Sequence, residues 1–213
     1  MARYAGPSCR LCRREGTKLF LKGSRCLTEK CAVERRGYAP GQHGQSTSGR
    51  GGRKMSEYAR QLREKQKVKR IYGLSESQFR TTFERASAEQ GVKGTNLLIA
   101  LETRLDNVVY RMSFAASRKA ARQLVRHGHV EVDGKRVDIP SYRVAPGQEV
   151  RVAPDSREMV PVKLALESAS RGAPMSWLSV DGSKAAGRLT MLPTRDAIPL
   201  NAQEQLIVEL YSK

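Results

Sequence analysis

Four cysteines lie within the first 31 residues, at positions that could bring their sulfur atoms to one metal ion. Cys9, Cys12, Cys26 and Cys31 follow the spacing C-x2-C-x13-C-x4-C. Two close pairs joined by a short loop can supply the four tetrahedral thiolates of a structural zinc site. The same set can hold a 4Fe–4S cluster, and spacing alone does not choose between the two. The pattern therefore predicts a four-cysteine metal site.

Two other uses of these cysteines stay open. A disulfide pair belongs to an oxidising compartment, whereas the N-terminus Met-Ala-Arg-Tyr-Ala-Gly-Pro has no apolar signal core, which predicts a cytoplasmic protein. A redox C-x-x-C motif usually lies beside a βαβ pattern, and the sequence around Cys9 does not have one. The metal site is the favoured interpretation.

The segments that would position the cysteines are short and basic. Residues 1–31 contain few large apolar side chains, so a metal is expected to hold this part together. The next stretch, RRGYAPGQHGQSTSGRGGRKM from residue 35 to residue 55, is rich in glycine and serine. This composition predicts an extended arm instead of a regular element.

The net charge limits the class of partner. The 213 residues carry a formal charge of +18, and residues 1–70 hold 19 Lys and Arg against 5 Asp and Glu. Such a basic stretch predicts a polyanionic partner, of which nucleic acid is the commonest. No apolar run reaches the length of a membrane span, and the basic stretch contains no amphipathic helix with a large aromatic or leucine face, so a membrane partner is not expected.

The middle of the chain reads as a series of helices. Residues 57–72 predict a very basic helix, and Ser75 with Gln78 forms a capping box before the next one. Thr95 is predicted to begin a long amphipathic helix that continues to Met112, with apolar residues on one face. Catalytic motifs such as G-x-x-x-x-G-K-[ST], G-x-S-x-G and H-E-x-x-H are absent from the sequence, so no enzyme is predicted.

The stretch from residue 113 to residue 138, SFAASRKAARQLVRHGHVEVDGKRVD, combines a helix with a hairpin. Ser117 is suited to cap the start of the helix, and Gly128 to end it. Asp133-Gly134 predicts a tight turn between two short strands. Along one flank of the helix, four cations form an expected outward ridge: Arg118, Lys119, Arg122 and Arg126. A capped helix start beside four cations is suited to phosphate, although a merely solvated charged face has the same pattern.

These residues carry a family resemblance. The stretch SRKAARQLVRHGHVEVDGKRVDIPSYRVAPGQEV resembles the small RNA-binding module named after the fourth protein of the bacterial small ribosomal subunit. Pseudouridine synthases and tyrosyl-tRNA synthetases also carry this module. The segments CRLCRREG, RRGYAPGQHG, QLREKQKVKRIYGLSESQF and RLDNVVYRMSFA extend the resemblance to the ribosomal protein family itself, over essentially the whole chain. The sequence resembles those members that keep four cysteines.

The resemblance implies a structural constituent of the small ribosomal subunit. Family members are primary binders of 16S ribosomal RNA that nucleate assembly of the body of the subunit. They contact neighbouring proteins, notably the fifth protein of the subunit, and contribute with it to translational accuracy. The glycine-rich arm lies in the family near the path by which messenger RNA enters, which suggests messenger contacts for Arg50, Arg53 and Lys54.

The sequence thus predicts an α+β fold: a discontinuous, mainly helical domain with an inserted helix–helix–β-hairpin RNA-binding module and a four-cysteine metal knob at the N-terminus. The expected segments are the basic N-terminal segment with its arm (1–50), the first part of the helical domain (51–100), the RNA-binding module (101–165) and a C-terminal part that packs back on the helical domain (166–213). Besides Ser117, the four cations beside it and the three arm residues, the expected RNA contacts are Arg3, Tyr4, Arg13, Arg14, Arg36, Arg63, Lys67 and Arg70.

Two other classes of protein share some of these features. An RNA-modifying enzyme could use the same module for targeting, but it would need a catalytic domain of its own. A zinc-dependent regulator of duplex DNA would instead tie a recognition helix to the metal knob.

Overall fold

The computed structural model describes residues 4–45, 55–169 and 175–212. In chain order, its helices and strands are α1 (Ser8–Glu15), α2 (Ala32–Arg35), α3 (Glu57–Tyr72), α4 (Glu76–Ala88), α5 (Lys93–Glu102), α6 (Leu105–Arg111), α7 (Arg118–Arg126), β1 (Val130–Val132), β2 (Lys135–Arg136), β3 (Glu149–Val152), α8 (Val160–Ala169), β4 (Leu178–Asp181), β5 (Ala186–Leu189) and α9 (Glu204–Tyr211). Short 3-10 helices cover Gly23–Leu27 and Pro154–Ser156. The predicted α+β class is confirmed.

The chain forms two compact units. The first contains residues 1–81 together with residues 201–213, and the second contains residues 82–200. The sequence placed boundaries near residues 50, 100 and 165, whereas the structure divides the chain at residues 81 and 200. Residues 178–189, which the sequence assigned to the C-terminal part, form the β4–β5 hairpin in the second unit.

In the first unit, α3 begins and ends at the predicted residues. The hydroxyl of Ser56 accepts a hydrogen bond from the backbone N–H of Ala59 at 3.3 Å, which caps the helix start. Gly73, with φ of 63°, takes the left-handed conformation that ends the helix. The C-terminal helix α9 packs against α3. These contacts bring the last residues of the chain onto its first long helix.

In the second unit, the predicted continuous helix from Thr95 to Met112 is wrong. The helix α5 ends at Glu102, and Arg104 has an extended conformation before α6 begins. A passing segment causes the break, because the backbone N–H of Leu105 donates to the carbonyl of Tyr142 at 2.8 Å, and that of Val144 donates to the carbonyl of Thr103 at 2.9 Å. Such long-range hydrogen bonds leave no periodic signal in the helix sequence.

The helix α7 and the hairpin after it agree with the sequence. The Ser117 hydroxyl accepts a hydrogen bond from the backbone N–H of Ala120 at 3.3 Å, which confirms the predicted cap. Gly128 has φ of 75° immediately after the helix, as expected for its end. Asp133 and Gly134 both have positive φ and join β1 to β2 in a two-residue turn.

Five antiparallel strands form one sheet in the order β2-β1-β3-β5-β4. Apolar residues of α6, α7 and the sheet form the main core of this unit. Gly187 on β5 permits close packing, because a Cβ atom there would lie 3.0 Å from the sulfur of Met112 and 2.8 Å from the carbonyl of Ser179. This core fixes α7 by its apolar side and leaves the other side to polar residues.

Among the described residues, no helix combines the length and the apolar character needed to cross a membrane.

Candidate nucleic-acid interface

The four predicted cations of α7 are not equivalent. Lys119 and Arg126 are exposed, whereas the side chains of Arg118 and Arg122 keep only 15% and 13% of their accessible surface. The prediction of one free outward ridge is therefore wrong for Arg118 and Arg122. The guanidinium of Arg118 binds the amide of Asn107, and that of Arg122 binds the carboxylate of Asp106. The long arginine side chain allows the charged group to reach these residues of α6.

Asp106 organises the first of two arginine clusters. Its carboxylate accepts two hydrogen bonds from Arg104, each at 3.2 Å, and a third from Nη1 of Arg122 at 3.0 Å. Asp106 and Arg104 are both buried. The buried pair satisfies its own charges, and Arg122 shares the carboxylate as a second cation.

Glu102 organises the second cluster. Its buried carboxylate accepts hydrogen bonds from Arg111 at 2.8 and 2.6 Å and from the amide of Asn107 at 2.7 Å. The amide oxygen of Asn107 in turn accepts a hydrogen bond from Nε of Arg118 at 2.7 Å. The guanidinium of Arg118 also stacks over the ring of Tyr110, 4.5 Å from its centre. The position of Arg118 is thus fixed on two sides.

The sequence did not indicate Glu102, Asp106 or Asn107 as part of the site. A signal was nevertheless present: two acids at i and i+4 lie among the apolar residues between Leu97 and Val109, and a charged group in such surroundings is expected to have a buried partner. The arginines four residues apart on α7 are the matching set. Pairing the two patterns needs the tertiary arrangement of α6 and α7.

In the first unit, Arg13 fastens the start of the glycine-rich arm. Its Nε donates to the carbonyl of Tyr38 at 3.0 Å, and its Nη2 donates to the carbonyl of Ala39 at 3.3 Å. The guanidinium also lies 4.8 Å from the centre of the Tyr38 ring. Arg13 therefore holds Tyr38 and Ala39, at the start of the arm, against α1.

Two predicted cations of α3 converge on one buried acid. Arg63 and Arg70 both pair with Glu15 of α1, whose side chain is 2% exposed. Burial raises the pKa of Glu15 above its usual value, and the two arginines oppose that shift. Lys67 pairs with Glu64 on its own helix at 2.8 Å. The formal charge of α3 thus overstates the positive charge it presents.

The remaining predicted contacts are more open. Arg14 and Arg36 are exposed, and Tyr4 is exposed while its hydroxyl donates to the carbonyl of Pro7 at 3.2 Å. Four further residues lie outside the described ranges: Arg3, Arg50, Arg53 and Lys54.

The four cysteines line one cavity of the first unit. Cys9 and Cys12 lie one turn apart on α1, Cys26 lies on a 3-10 helix and Cys31 directly precedes α2. All four are free thiols. Burial raises the pKa of Cys12, and the other three cysteines raise it further by charge repulsion. Three cations share the same cavity wall: Lys22, Arg25 and Lys30.

The donor set is chemically suited to zinc or to an iron–sulfur cluster, because four thiols face one cavity. Within residues 4–45, 55–169 and 175–212, however, no three His, Cys, Asp or Glu side chains are grouped closely enough to hold a metal ion. The predicted metal knob is therefore not confirmed.

Two protein families match successive parts of the chain. Residues 3–102 match the family described as "Ribosomal protein S4/S9 N-terminal domain", and residues 103–150 match the "S4 domain". Together the two matches cover residues 3–150, which run from α1 to the start of β3.

Relatives match the chain from end to end. Proteins named "Small ribosomal subunit protein uS4" from Pelotomaculum thermopropionicum, Geotalea daltonii and Thermus thermophilus are 57%, 56% and 55% identical to it over 213 residues. Each comparison covers 100% of both chains. The chain belongs to the uS4 family of small ribosomal subunit proteins. Membership of this family confirms the predicted resemblance and the prediction that the chain is not an enzyme.

Proposed function

We propose that this chain is a structural constituent of the small ribosomal subunit that binds 16S ribosomal RNA directly. The observation that carries the proposal is the cationic side of α7, which is called the α7 surface and consists of Ser117, Arg118, Lys119, Arg122 and Arg126. The first turn of α7, described in full, carries no acidic residue. Its N-terminal amides and the neighbouring cations therefore favour a phosphate group. The names of the relatives, small ribosomal subunit proteins, support a ribosomal partner.

Finer roles follow from the family resemblance and belong to the proposal. The chain acts as a primary binder of 16S RNA that nucleates assembly of the 30S body, in the cytoplasm. With neighbouring proteins, notably the fifth protein of the subunit, it contributes to translational accuracy. Arg50, Arg53 and Lys54 of the arm contact messenger RNA where it enters the subunit.

In this proposal, charge supplies most of the affinity for RNA and shape supplies the specificity. Each phosphate that pairs with a cation releases condensed counterions, so affinity falls steeply as salt rises. The deep major groove of A-form RNA is too narrow for side chains to read. Specificity therefore comes from the fit of fixed cations to the phosphates of a folded RNA junction.

The test is a filter-binding titration of the purified full-length chain with a 16S RNA fragment and with duplex DNA of equal length. The variant is Lys119→Gln with Arg126→Gln, because both side chains are exposed. A charged hydrogen bond contributes roughly 1.5–3 kcal/mol, so the double variant should weaken RNA binding by about tenfold or more. Glutamates at Arg118 and Arg122 are unsuitable, since they would face the buried acids Glu102 and Asp106.

The matched control removes the same charge from the β4–β5 hairpin of the same unit, by Lys184→Gln with Arg188→Gln. Both residues are exposed and form only long ion pairs of 3.8 Å. The control should bind RNA with nearly unchanged affinity. Equal losses in both variants would remove the special role of α7. Preference for duplex DNA would favour a DNA-binding regulator, and turnover of an RNA nucleoside would favour a modifying enzyme.

We also propose that Cys9, Cys12, Cys26 and Cys31 together hold a structural zinc ion or, alternatively, a 4Fe–4S cluster. What supports this is the single cavity that all four line and the absence of any disulfide between them. The bound group would cross-link α1, the 3-10 helix and α2, which carry the four cysteines or lie next to them. Its role would be to stabilise residues 4–45.

Metal analysis of the purified chain should find about one zinc per molecule, or iron together with visible absorption by a cluster. Cys9→Ser should remove the metal and raise the protease sensitivity of residues 4–45 while leaving the second unit unchanged. Ser24→Ala, an exposed change in the same segment, is the control. A metal-free chain with a stoichiometric disulfide would contradict the proposal.

A further inference from the structure

We infer that Asp106 is a positioning residue for RNA binding: it holds the guanidinium of Arg122 in place while leaving that group's remaining donors for a phosphate. The inference rests on the proposed function and names a buried acid that makes RNA binding stronger although its own charge opposes RNA.

Arg122 and Asp106 are joined by a single hydrogen bond. Arg122 places Nη1 3.0 Å from Oδ2 of Asp106, and its side chain is 13% exposed. Within the described part of the chain, Asp106 is the only partner of this guanidinium. Nε and Nη2 thus keep their hydrogens for an outside acceptor. Because Asp106 holds Nη1, the orientation of the planar guanidinium is restricted before RNA binds.

The charge of the cluster points in the same direction. Asp106 is already paired through both oxygens with buried Arg104, so Arg122 brings a second positive charge to one carboxylate. Glu102 repeats the arrangement with Arg111 and Arg118. Two acids and four arginines leave two surplus positive charges in a largely desolvated region. A nearby phosphate would relieve this surplus more effectively than water does.

The ion pair with Asp106 also gives a reason for an arginine at the half-buried position 122. A flexible exposed cation loses conformational entropy when it binds a phosphate, at about 0.5–1.5 kcal/mol for each immobilised side chain. Arg122 has lost most of that freedom already, through its bond to Asp106. The ion pair that forms when the protein folds therefore also orients Arg122 for RNA binding.

The substitution Asp106→Asn separates positioning from simple charge, because the two make opposite predictions. It raises the net charge by one, so charge alone predicts tighter RNA binding. Loss of positioning predicts weaker binding, by about tenfold, and a shallower fall of affinity with salt by about one phosphate contact. The assay is a filter-binding titration with the 16S RNA fragment at several salt concentrations.

The matched control is Asp155→Asn. Asp155 also pairs with an arginine of the second unit, Arg136 at 2.7 Å, but it is 78% exposed and lies away from α7 in sequence. The control makes the same charge change and should bind RNA within about twofold of the unmodified chain. Combining Asp106→Asn with Arg122→Gln should weaken binding no further than Arg122→Gln alone, because the acid acts through that arginine.

A second variant guards against loss of folding, since Asp106 also satisfies buried Arg104. Arg122→Lys keeps the charge and leaves the Asp106–Arg104 pair intact, but a lysine cannot hold a carboxylate and a phosphate with one planar group. It should weaken binding about fivefold or more. Unchanged or tighter binding by both Asp106→Asn and Arg122→Lys would overturn the inference alone. An unmodified chain that does not prefer 16S RNA would overturn the proposed function, and the inference with it.

Discussion

Single carboxylates in this basic protein serve two cations each. The described examples are Glu15 with Arg63 and Arg70, Glu76 with Lys65 and Lys69, Glu102 with Arg111 and Arg118, and Asp106 with Arg104 and Arg122. Sharing fixes the positions of several cations with few acids, and each group keeps a net positive charge. A chain with a formal charge of +18 can therefore fold with ordered cations and still attract a polyanion.

Glu76 gives a pH-dependent test of this sharing. Partial burial by itself would raise the pKa of Glu76, but hydrogen bonds from Lys65 and Lys69 outweigh it and lower the pKa to about 2. The ordinary value is 4.5. A lowered pKa in the folded state means that the stabilising contribution is complete above pH 4.5 and is lost as the pH falls towards 2.

We therefore expect Glu76→Gln to lower the melting temperature at neutral pH and to have little effect near pH 2. The measurement is thermal unfolding followed by circular dichroism across this range. Glu57→Gln, which removes an exposed carboxylate from the same unit, is the control. A melting difference that does not change with pH would show that Glu76 acts by packing and not by charge.

The helices α3 and α9 form the pairing on which the first unit depends. Ile207 of α9 is fully buried, and the amide of Gln61 donates to Glu209 at 3.1 Å. Tyr211 stacks on Phe79 with ring centres 6.4 Å apart. The ring contact joins α9 to α4, in addition to the contacts between α9 and α3. Within the first unit, the pairing thus joins two helices that are more than a hundred residues apart in the sequence.

The substitution Ile207→Ala tests that pairing. Removing a fully buried isoleucine side chain is expected to reduce the free energy of unfolding by about 2–5 kcal/mol, through lost burial and the cavity left behind. Urea unfolding of the full chain measures the change. Gln205→Ala, at an exposed position of the same helix, should change stability by less than about 0.5 kcal/mol. If Ile207→Ala changed the free energy of unfolding as little as Gln205→Ala does, the contact between α9 and α3 would not stabilise the first unit.

Across the molecule, the charge available to a partner differs from the formal charge. Residues 1–70 contain 19 Lys and Arg against 5 Asp and Glu, yet α3 uses much of its charge on Glu15, Glu64 and Glu76. The second unit carries fewer surplus cations but orders them on α7. The strongest case for a binding surface therefore lies outside the most basic part of the sequence.

Sequence reasoning succeeded where the deciding contacts are local. The cap at Ser117, the turn at Asp133-Gly134 and the limits of α3 each depend on hydrogen bonds or backbone angles within a few residues. It failed at Arg104, where a segment about forty residues further along the chain ends α5. It also predicted that Arg118 and Arg122 face outward. Helical spacing shows which side of the helix they lie on, but it does not show that acids of other helices lie against that side.

By itself, the sequence determined the family, the α+β class, the surplus of positive charge and the ends of α3 and α7, since residue type and short-range spacing set these directly. Only the tertiary structure decided which cations are tied down, how the β4–β5 hairpin completes the sheet and where the long helix divides. The physical reason is distance along the chain. Carboxylates, carbonyls and strands that meet in space come from separate segments, and their pairing depends on the folded core that brings them together.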